Sequence, residues 1–188
     1  MNPQSQLLTE DSLIPDYCTQ VEYLIDVVQQ LSLARNLQTI MDIVKKAARR
    51  LTNSDGSTFV LRDGDNCYYA DEDAIAPLWK GSRFPLEICI GGWTMNNRTN
   101  AVIVDIVGDP RIPYEAYQPT FVKSLVTAPI RTKDPIGAIG TYWAQRHQPT
   151  QKEIKLLQAL ADSTAIAMEN VQLYLELEQR VKERTLEL

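Results

Sequence analysis

The sequence is poor in the residues from which catalytic and metal sites are usually built. Its 188 residues include 1 histidine and 3 cysteines. A hydrolase or a transferase needs a nucleophile with its base, a carboxylate pair or a metal cluster. His147 lies in the polar stretch RHQPT without an acidic neighbour in sequence, which is typical of a surface histidine. We therefore expect a segment that is not an enzyme and that holds no metal.

Glycine-rich phosphate loops are missing as well. The stretches GGW and GAIG do not have the spacing of a dinucleotide-binding or Walker loop. Acidic residues outnumber basic ones by 24 to 19, and the net charge of -5 argues against nucleic acid or an anionic membrane as a partner. Phosphoryl chemistry and nucleic-acid binding are therefore not expected.

The sequence contains no export or membrane signal. No apolar run approaches the length of a membrane span, and residues 1–17 lack the basic start and apolar centre of a secretory signal. Three widely spaced cysteines, Cys18, Cys67 and Cys89, favour reduced thiols, so we expect a cytoplasmic protein. Cys67 and Cys89 are expected to be small buried groups. The alternative, a redox pair, requires proximity and a low thiol pKa, and the sequence shows neither.

Two amphipathic helices are predicted after a flexible lead over residues 1–15. Apolar residues three or four positions apart predict the first helix from about Asp16 to Ala34. Asn36 is a suitable N-cap for the second, which ends in TNSDG. The second helix contains the basic run KKAARR (45–50), for which we predict a solvated face, with partner docking as the alternative.

The middle of the chain predicts five strands and a long irregular insert. The runs STFVLR (57–62) and NCYYAD (66–71) flank the turn signal DGD, which predicts an antiparallel hairpin. Residues 72–98 are interrupted by prolines and glycines but contain large aromatic side chains, so we expect a loop-rich segment that folds back. Three further runs predict strands: AVIVDI (101–106), KSLVTAPI (123–130) and IGAIGTYWA (136–144).

The last segment predicts one long helix. Thr150 and Glu153 form a capping box, and residues 151–188 contain neither glycine nor proline. The first half has an apolar face that suits a sheet. The second half has a heptad seam, which predicts a coiled coil, with a frayed surface helix as the alternative. The seam residues are Tyr174, Leu177, Val181 and Leu188, with Arg184 out of type.

This plan resembles a GAF domain, as found in bacterial sensor histidine kinases and related multi-sensor proteins. The stretches that carry the resemblance are ARRLTNSDGSTFVLRDGDNCYYADEDAIAPLWKGSRFPLEICIGGWTM and AVIVDIVGDPRIPYEAYQPTFVKSLVTAPIRTKDPIGAIGTYWA. The run LELEQRVKERTLEL resembles the signalling helix of such proteins. The resemblance implies an α+β fold with a central antiparallel sheet of five to six strands. The N-terminal helices and the long C-terminal helix would pack on one sheet face, and the irregular insert on the other. Residues 16–171 would form the GAF domain and residues 172–188 the coiled-coil helix.

The resemblance also implies a ligand pocket between the sheet and the insert, although it names no ligand. The alternative is that the same aromatic rings fill this space as core. The candidate pocket residues are Trp79, Phe84, Trp93, Tyr142 and Cys89.

The family's ligands can be tested against individual residues. Bilin-binding members attach the pigment through a Cys-His pair upstream of KSLVTAPI, and this chain has IPYEAYQPTFV there. Standard covalent bilin attachment is therefore not expected, while non-covalent binding or a linkage through Cys89 stays open. The Asn-Lys-Phe-Asp-Glu signature of cyclic-nucleotide members is absent. The free methionine-sulfoxide reductases are an enzymatic alternative, but the cysteines do not match their arrangement.

Together these features predict a regulatory sensor domain of a cytoplasmic signalling protein, in particular a histidine kinase. It would form a homodimer, accept a small-molecule ligand and act on a downstream module. The alternatives are a thiol reductase, a dimerisation module without a ligand, and an atypical bilin-binding photoreceptor domain.

Overall fold

The computed structural model describes residues 13–186, and side chains from residue 16 onward. The first helix, α1, spans Leu13–Leu33 and begins earlier than predicted. Pro15 lies in its first turn, where a backbone N–H has no helical partner and proline is tolerated. Most of the predicted flexible lead, residues 1–12, lies outside the described residues.

The second helix, α2, spans Leu37–Thr52 and is capped as predicted. The backbone N–H of Thr39 donates to Oδ1 of Asn36 over 2.8 Å. Asn53 ends the helix in the left-handed region at φ 48°. The apolar stripe of α2 is buried against the sheet, and the basic residues lie on another side.

Six antiparallel strands form one sheet, in the order β3-β2-β1-β6-β5-β4. The predicted hairpin is confirmed, because Asp63 pairs with Asn66 across a turn in which Gly64 has φ 59°. β4 is shorter than predicted: the Asp105 carboxylate accepts the N–H of Val107 and turns the chain out of the sheet. The strands are β1 Gly56–Asp63, β2 Asn66–Ala74, β3 Arg83–Pro85, β4 Ala101–Ile103, β5 Ser124–Ile130 and β6 Gly137–Trp143.

The insert is more regular than the sequence predicts. It contains β3 and an eight-residue helix, α3, over Ile90–Asn97. A one-turn helix, α4, follows β4 over Tyr114–Tyr117. A Cβ atom on Gly92 would lie 1.9 Å from the carbonyl oxygen of Leu86. The glycine therefore permits a close helix-to-loop contact, which is why a Gly-Gly pair that predicts a loop lies inside a helix.

The sheet separates two cores. We call the side covered by α1, α2 and the last helix the helix face, and the side covered by α3, α4 and the insert the insert face. Side chains alternate between them along each strand, so that Val126 and Ala128 of β5 belong to the helix face and Leu125 to the insert face. The predicted α+β architecture, with helices on one face and the insert on the other, is confirmed.

The last helix, α5, spans Gln151–Leu186, and Leu188 lies outside the described residues. The capping box is confirmed: the N–H of Glu153 donates to Oγ1 of Thr150, and the Glu153 carboxylate accepts the N–H of Thr150. At 1.5 Å per residue the 36 residues extend about 54 Å. Side chains up to Val171 pack on the helix face, and every one from residue 172 to 186 is exposed. Within residues 13–186, no helix has the length and hydropathy needed to cross a membrane.

Candidate functional site

The insert face is built around an aromatic cluster that contains two of the predicted pocket residues. The ring of Trp79 lies 4.6 Å from that of Tyr117, 5.4 Å from that of Tyr142 and 5.5 Å from that of Tyr69, between centroids. The indole N–H of Trp79 donates to the carbonyl of Ala116 over 2.9 Å. All four rings are buried, and they lie between the sheet and the insert, where a ligand pocket was predicted.

Phe84 and Trp93, two further predicted residues, lie at the border of this cluster. Both are half-buried. The ring of Phe84 contacts that of Tyr69 edge to face, with centroids 5.5 Å apart. The Arg111 guanidinium lies 4.9 Å from the centre of the Trp93 ring. Phe84 and Trp93 are thus closer to solvent than Trp79 and Tyr142.

A β-bulge positions the loop that carries Trp79. Phe59 pairs with Asp71 but Val60 pairs with Tyr69, so one extra residue is accommodated in β2. After the bulge Glu72 points to the insert, where its carboxylate accepts three successive backbone N–H groups. The donors are Leu78, Trp79 and Lys80.

Several buried hydroxyl groups on the insert face have no hydrogen-bond partner among the described residues. They are Oγ1 of Thr94 on α3, the hydroxyl of Tyr117 on α4 and Oγ1 of Thr127 on β5. By contrast, Oγ1 of Thr58 and the hydroxyl of Tyr142 lie 2.8 Å apart, and Gly140 leaves the room for this pair. A buried hydroxyl without a partner is costly. This face therefore offers polar groups to a small molecule or to water.

The tyrosines on this face act as neutral hydroxyl groups. Burial raises the pKa of Tyr69 and of Tyr117 well above the ordinary value. Burial also raises the pKa of Tyr142, and its hydrogen bond with Thr58 opposes that shift in part. Each can donate one hydrogen bond and accept others.

Cys67 and Cys89 lie together, which the sequence alone did not predict. Their sulfur atoms are 3.0 Å apart and both thiols are free and buried. Cys89 precedes α3 as its N-cap and accepts the N–H of Gly92 over 3.3 Å. The hydrogen bond between the sulfurs, with Cys67 as donor to an ionised Cys89, lowers the pKa of Cys89 and raises that of Cys67. A redox pair requires proximity and a low thiol pKa. The two sulfurs lie close together, and the pKa of Cys89 is shifted downward.

Asp71 connects the two sides of the sheet at its edge. Its carboxylate is 2% exposed and binds the ammonium groups of Lys45 on α2 and Lys80 in the insert, at 2.8 and 2.9 Å. Burial alone would raise its pKa, but these lysines and the N–H of Glu72 lower it to about 2. The predicted solvated face is therefore wrong for two residues of KKAARR, since Lys45 and Arg49 reach carboxylates of β2.

His147 has an acidic partner that the sequence did not indicate. Its Nε2 lies 2.9 Å from the carboxylate of Glu153, which reaches back from the capping box. The imidazole also packs on the Trp143 ring, with centroids 4.4 Å apart. His147 is thus a half-buried structural contact at the start of α5 rather than a free surface side chain.

The predicted seam on α5 is exposed in the single chain. Leu177 is 56% and Val181 64% exposed, and Arg184 is exposed as well. The Arg35 guanidinium lies 4.7 Å from the centre of the Tyr174 ring, near the point where α5 leaves the domain. No group of three His, Cys, Asp or Glu side chains that could hold a metal ion occurs within residues 13–186.

The sequence signals for the missed site residues are weak. Alternation in β2 is compatible with Tyr69 beside Cys67 on one face, but nothing local places Tyr117 against Trp79. Thr94 and Thr127 look like ordinary helix and strand residues. Their importance arises only from what surrounds them, so no motif could have identified them.

A family model for the GAF domain matches residues 34–169. The match covers well over half of the chain, so the chain belongs to the GAF domain family, a regulatory sensor fold found in signalling proteins. A search of curated protein sequences finds no match.

Solved structures share this fold at low sequence identity. The free methionine-R-sulfoxide reductase of Neisseria meningitidis, solved with its substrate, has a TM-score of 0.73 at 14% identity over 90% of this chain and 97% of its own. The GAF domain of an Acinetobacter phosphoenolpyruvate-protein phosphotransferase has a TM-score of 0.71 at 13% identity, over 83% of this chain and 96% of its own. The GAF domain of a Bacillus halodurans two-component sensor histidine kinase has a TM-score of 0.63 at 20% identity, over 75% of this chain and 99% of its own. At these identities the similarity extends to the fold alone.

Proposed function

We propose that this chain is the sensor segment of a cytoplasmic signal-transduction protein of the histidine-kinase type. A small molecule binds on the insert face, and α5 passes the resulting change to a downstream module. The observation that carries the proposal is α5 itself, one 36-residue helix that packs on the sheet and then extends with every side chain exposed. A partner helix would bury the apolar side chains that this part of α5 leaves in water, Leu177 and Val181 among them.

β5 supplies the physical connection between ligand and helix. Thr127 faces the insert, while its neighbours Val126 and Ala128 pack in the same core as Leu157 of α5. A ligand that moves α3 or α4 against the sheet therefore acts on a strand that α5 contacts. A helix shift of about 1–2 Å is sufficient for signalling at such interfaces. The ligand must bind the two arrangements with different affinities.

The proposed dimer is parallel and uses the seam on α5. Tyr174, Leu177 and Val181 present an apolar row, interrupted by Arg184. The neighbouring helix α1 also has exposed apolar residues: Ile25, Val28 and Leu33. Heptad packing of this kind buries groups that a monomer leaves in water.

Sedimentation equilibrium tests the dimer. We expect a dimeric mass for the full chain and a monomeric mass for a chain that ends at Val171. Leu177→Lys with Val181→Lys places charge in the seam and should give a monomer. The control Gln172→Lys with Gln179→Lys adds the same charge outside the seam and should remain dimeric. Equal monomeric masses for the full and shortened chains would remove the coiled-coil argument.

Native mass spectrometry and an absorbance scan of protein from its own host test the ligand. A mass excess that disappears on unfolding indicates a bound small molecule. Thr127→Val should reduce this excess, because no described residue pairs with the Thr127 hydroxyl. Absorbance with a mass excess that survives unfolding would instead support the atypical bilin-binding alternative. Protein of bare mass without absorbance would favour a dimerisation module filled by its own rings.

A thiol reductase is the second candidate, favoured by the 3.0 Å separation of the Cys67 and Cys89 sulfurs. Free methionine sulfoxide is its test substrate. Turnover that is lost in both Cys67→Ser and Cys89→Ser would establish the reductase and contradict the non-enzymatic proposal.

A further inference from the structure

The buried thiol pair has no part in the sensor mechanism proposed above. Cys67 belongs to β2 and is 0% exposed, while Cys89 precedes α3 and is 4% exposed. They are 22 residues apart in sequence, and the fold of the insert brings their sulfurs to 3.0 Å. Among 3 cysteines in 188 residues, the third, Cys18, is exposed on α1. A contact between the two buried ones is thus a specific feature of the insert face.

The surroundings of the two thiols differ in a way that assigns a role to each. Once ionised, Cys89 can accept hydrogen bonds from the Cys67 thiol 3.0 Å away, from the N–H of Gly92 at 3.3 Å and from the hydroxyl of Tyr69. These donors and the position at a helix N-terminus favour a thiolate and lower the pKa of Cys89. The pKa of Cys67 is raised by the same contact and by burial, so Cys67 keeps its proton.

The sulfurs can reach bonding distance with a small movement. A disulfide has an S–S distance of about 2.05 Å, about 1 Å shorter than the present separation. Cys89 lies between exposed Ile88 and the first residue of α3, and the preceding loop, which begins after β3, includes exposed Glu87. A surface loop of this kind can follow a shift of about 1 Å more readily than a central strand can.

A short edge strand controls access to the pair. Phe84 of β3 lies opposite Cys67 on β2, and β3 pairs through only three residues. Arg83 and Pro85 on either side are exposed. Edge strands of this length open locally at low free-energy cost. We expect such opening to admit an oxidant of the size of hydrogen peroxide.

We propose that Cys67 and Cys89 form a peroxide-sensitive dithiol, in which Cys89 attacks a small hydroperoxide and Cys67 completes a reversible disulfide. The Cys89 thiolate bonds to one peroxide oxygen, the O–O bond breaks, and the departing oxygen takes up a proton to leave as water or alcohol. The Cys67 sulfur then attacks the sulfenic sulfur of Cys89. The S–S bond forms, and the sulfenic hydroxyl leaves as water with the Cys67 proton. Two thiols are oxidised by two electrons and one hydroperoxide is reduced.

The disulfide would fix the amino end of α3 to β2. The closed loop includes Glu72 and Trp79, the residues that arrange the aromatic cluster. Because α3 packs on β5 and β6, oxidation would hold the insert in one position against the sheet. This chemistry stands independently of the sensor role: it depends on neither a ligand nor a dimer.

Peptide mapping of Cys18→Ser protein tests the proposal without altering the buried pair. The reduced protein is treated with hydrogen peroxide, unfolded, alkylated and digested with trypsin. We expect the peptides 63–80 and 84–98 to be joined, with a mass about 2 Da below their sum, and dithiothreitol to separate them. The oxidised protein should melt about 5–10 °C higher, because the closed loop restricts the unfolded chain. Full alkylation of both thiols after peroxide would overturn the proposal.

Single variants test the two roles. In Cys67→Ser, peroxide should leave a sulfenic acid on Cys89 that dimedone traps. Cys89→Ser should consume peroxide at least about ten-fold more slowly than Cys67→Ser, because it lacks the Cys89 thiolate. Equal reactivity of the two variants would overturn the assigned roles. If either variant fails to fold, the peptide map of Cys18→Ser still decides whether the bond forms.

Free methionine sulfoxide serves as the competing oxidant. We expect it to produce no joined peptides, since the opening at β3 is expected to admit hydrogen peroxide but not a molecule of the size of an amino acid. Joined peptides formed as fast as with peroxide would contradict the proposal and establish the reductase candidate. A monomeric full chain in sedimentation would contradict the sensor dimer and leave the peroxide result unaffected.

Discussion

Both faces of the sheet are buried, but they differ in chemistry. The helix face is mainly aliphatic, and its buried hydroxyls have partners: Thr141 donates to Val126 O and Thr164 to Leu160 O. The insert face contains tyrosines, a tryptophan and two thiols, and the hydroxyls of Thr94 and Thr127 have no partner in the described part of the chain. Unpaired polar groups lower stability, and functional sites are where proteins retain them. We therefore expect the helix face to contribute most of the stability, and we propose that the insert face holds the functional site.

The largest effect is expected from a cavity on the helix face. Leu160 is fully buried between α5 and the sheet, so Leu160→Ala should lower the free energy of unfolding by about 3–4 kcal/mol. Urea denaturation measures the change. Leu173→Ala on the exposed part of α5 is the matched control and should change stability by less than about 0.5 kcal/mol. Equal effects would contradict the assignment of the helix face as the main core.

On the insert face, the largest loss of stability is expected from a substitution that adds an atom where there is no room for it. The Cβ of Gly92→Ala would meet the Leu86 carbonyl oxygen at 1.9 Å, and backbone cannot rotate away as a side chain can. We expect a loss of about 3 kcal/mol in urea denaturation.

The neighbouring glycine provides the control. A Cβ on Gly91 would meet side-chain atoms at 3.4 Å or more, which is ordinary contact. Gly91→Ala should be neutral or stabilise by about 0.5–1 kcal/mol, because alanine favours the helix. A neutral Gly92→Ala would show that the loop before α3 yields, and would weaken the picture of a tightly packed insert.

A smaller effect on stability is expected from Asp71, whose carboxylate binds Lys45 on α2 and Lys80 in the insert. The pKa of Asp71 is about 2 in the folded protein and about 3.8 when unfolded, so its carboxylate stabilises the fold above pH 3.8. This contribution, about 2 kcal/mol, is lost as the pH falls towards 2. Asp71→Asn should therefore be less stable by about 2 kcal/mol at pH 7 and equal to the parent near pH 2.

An exposed ion pair serves as the control for this measurement. Asp63→Asn breaks the contact with Arg83 at the surface, and should cost no more than about 0.5 kcal/mol at any pH. A parallel pH profile for both variants would exclude Asp71 as the group that joins α2 to the insert.

Local signals in the sequence predicted the helix face better than the insert face. Asn36 and Thr150 cap their helices through contacts within three residues, and the hairpin at Gly64 is equally local. The contact between Cys67 and Cys89 depends on how the whole insert folds back onto the sheet. The spacing of apolar residues in the sequence does not predict this contact. The Gly91-Gly92 pair predicted a loop instead of a helix for the same reason. Gly92 is needed because Leu86, in the loop before the helix, leaves no room for a Cβ atom.

The smallest effect compares one hydroxyl on each face. Oγ1 of Thr127 on the insert face is buried and has no partner among residues 13–186, whereas Oγ1 of Thr141 on the helix face donates to the Val126 carbonyl over 3.2 Å. Valine keeps the shape of threonine but removes the hydroxyl. In ligand-free protein, Thr127→Val should raise the free energy of unfolding by about 1 kcal/mol, and Thr141→Val should lower it by a similar amount. Opposite signs in urea denaturation would show that the insert face retains a polar group at the expense of stability. Losses in both variants would mean that Thr127 is paired in solution, and its hydroxyl would then be structural rather than available to a ligand.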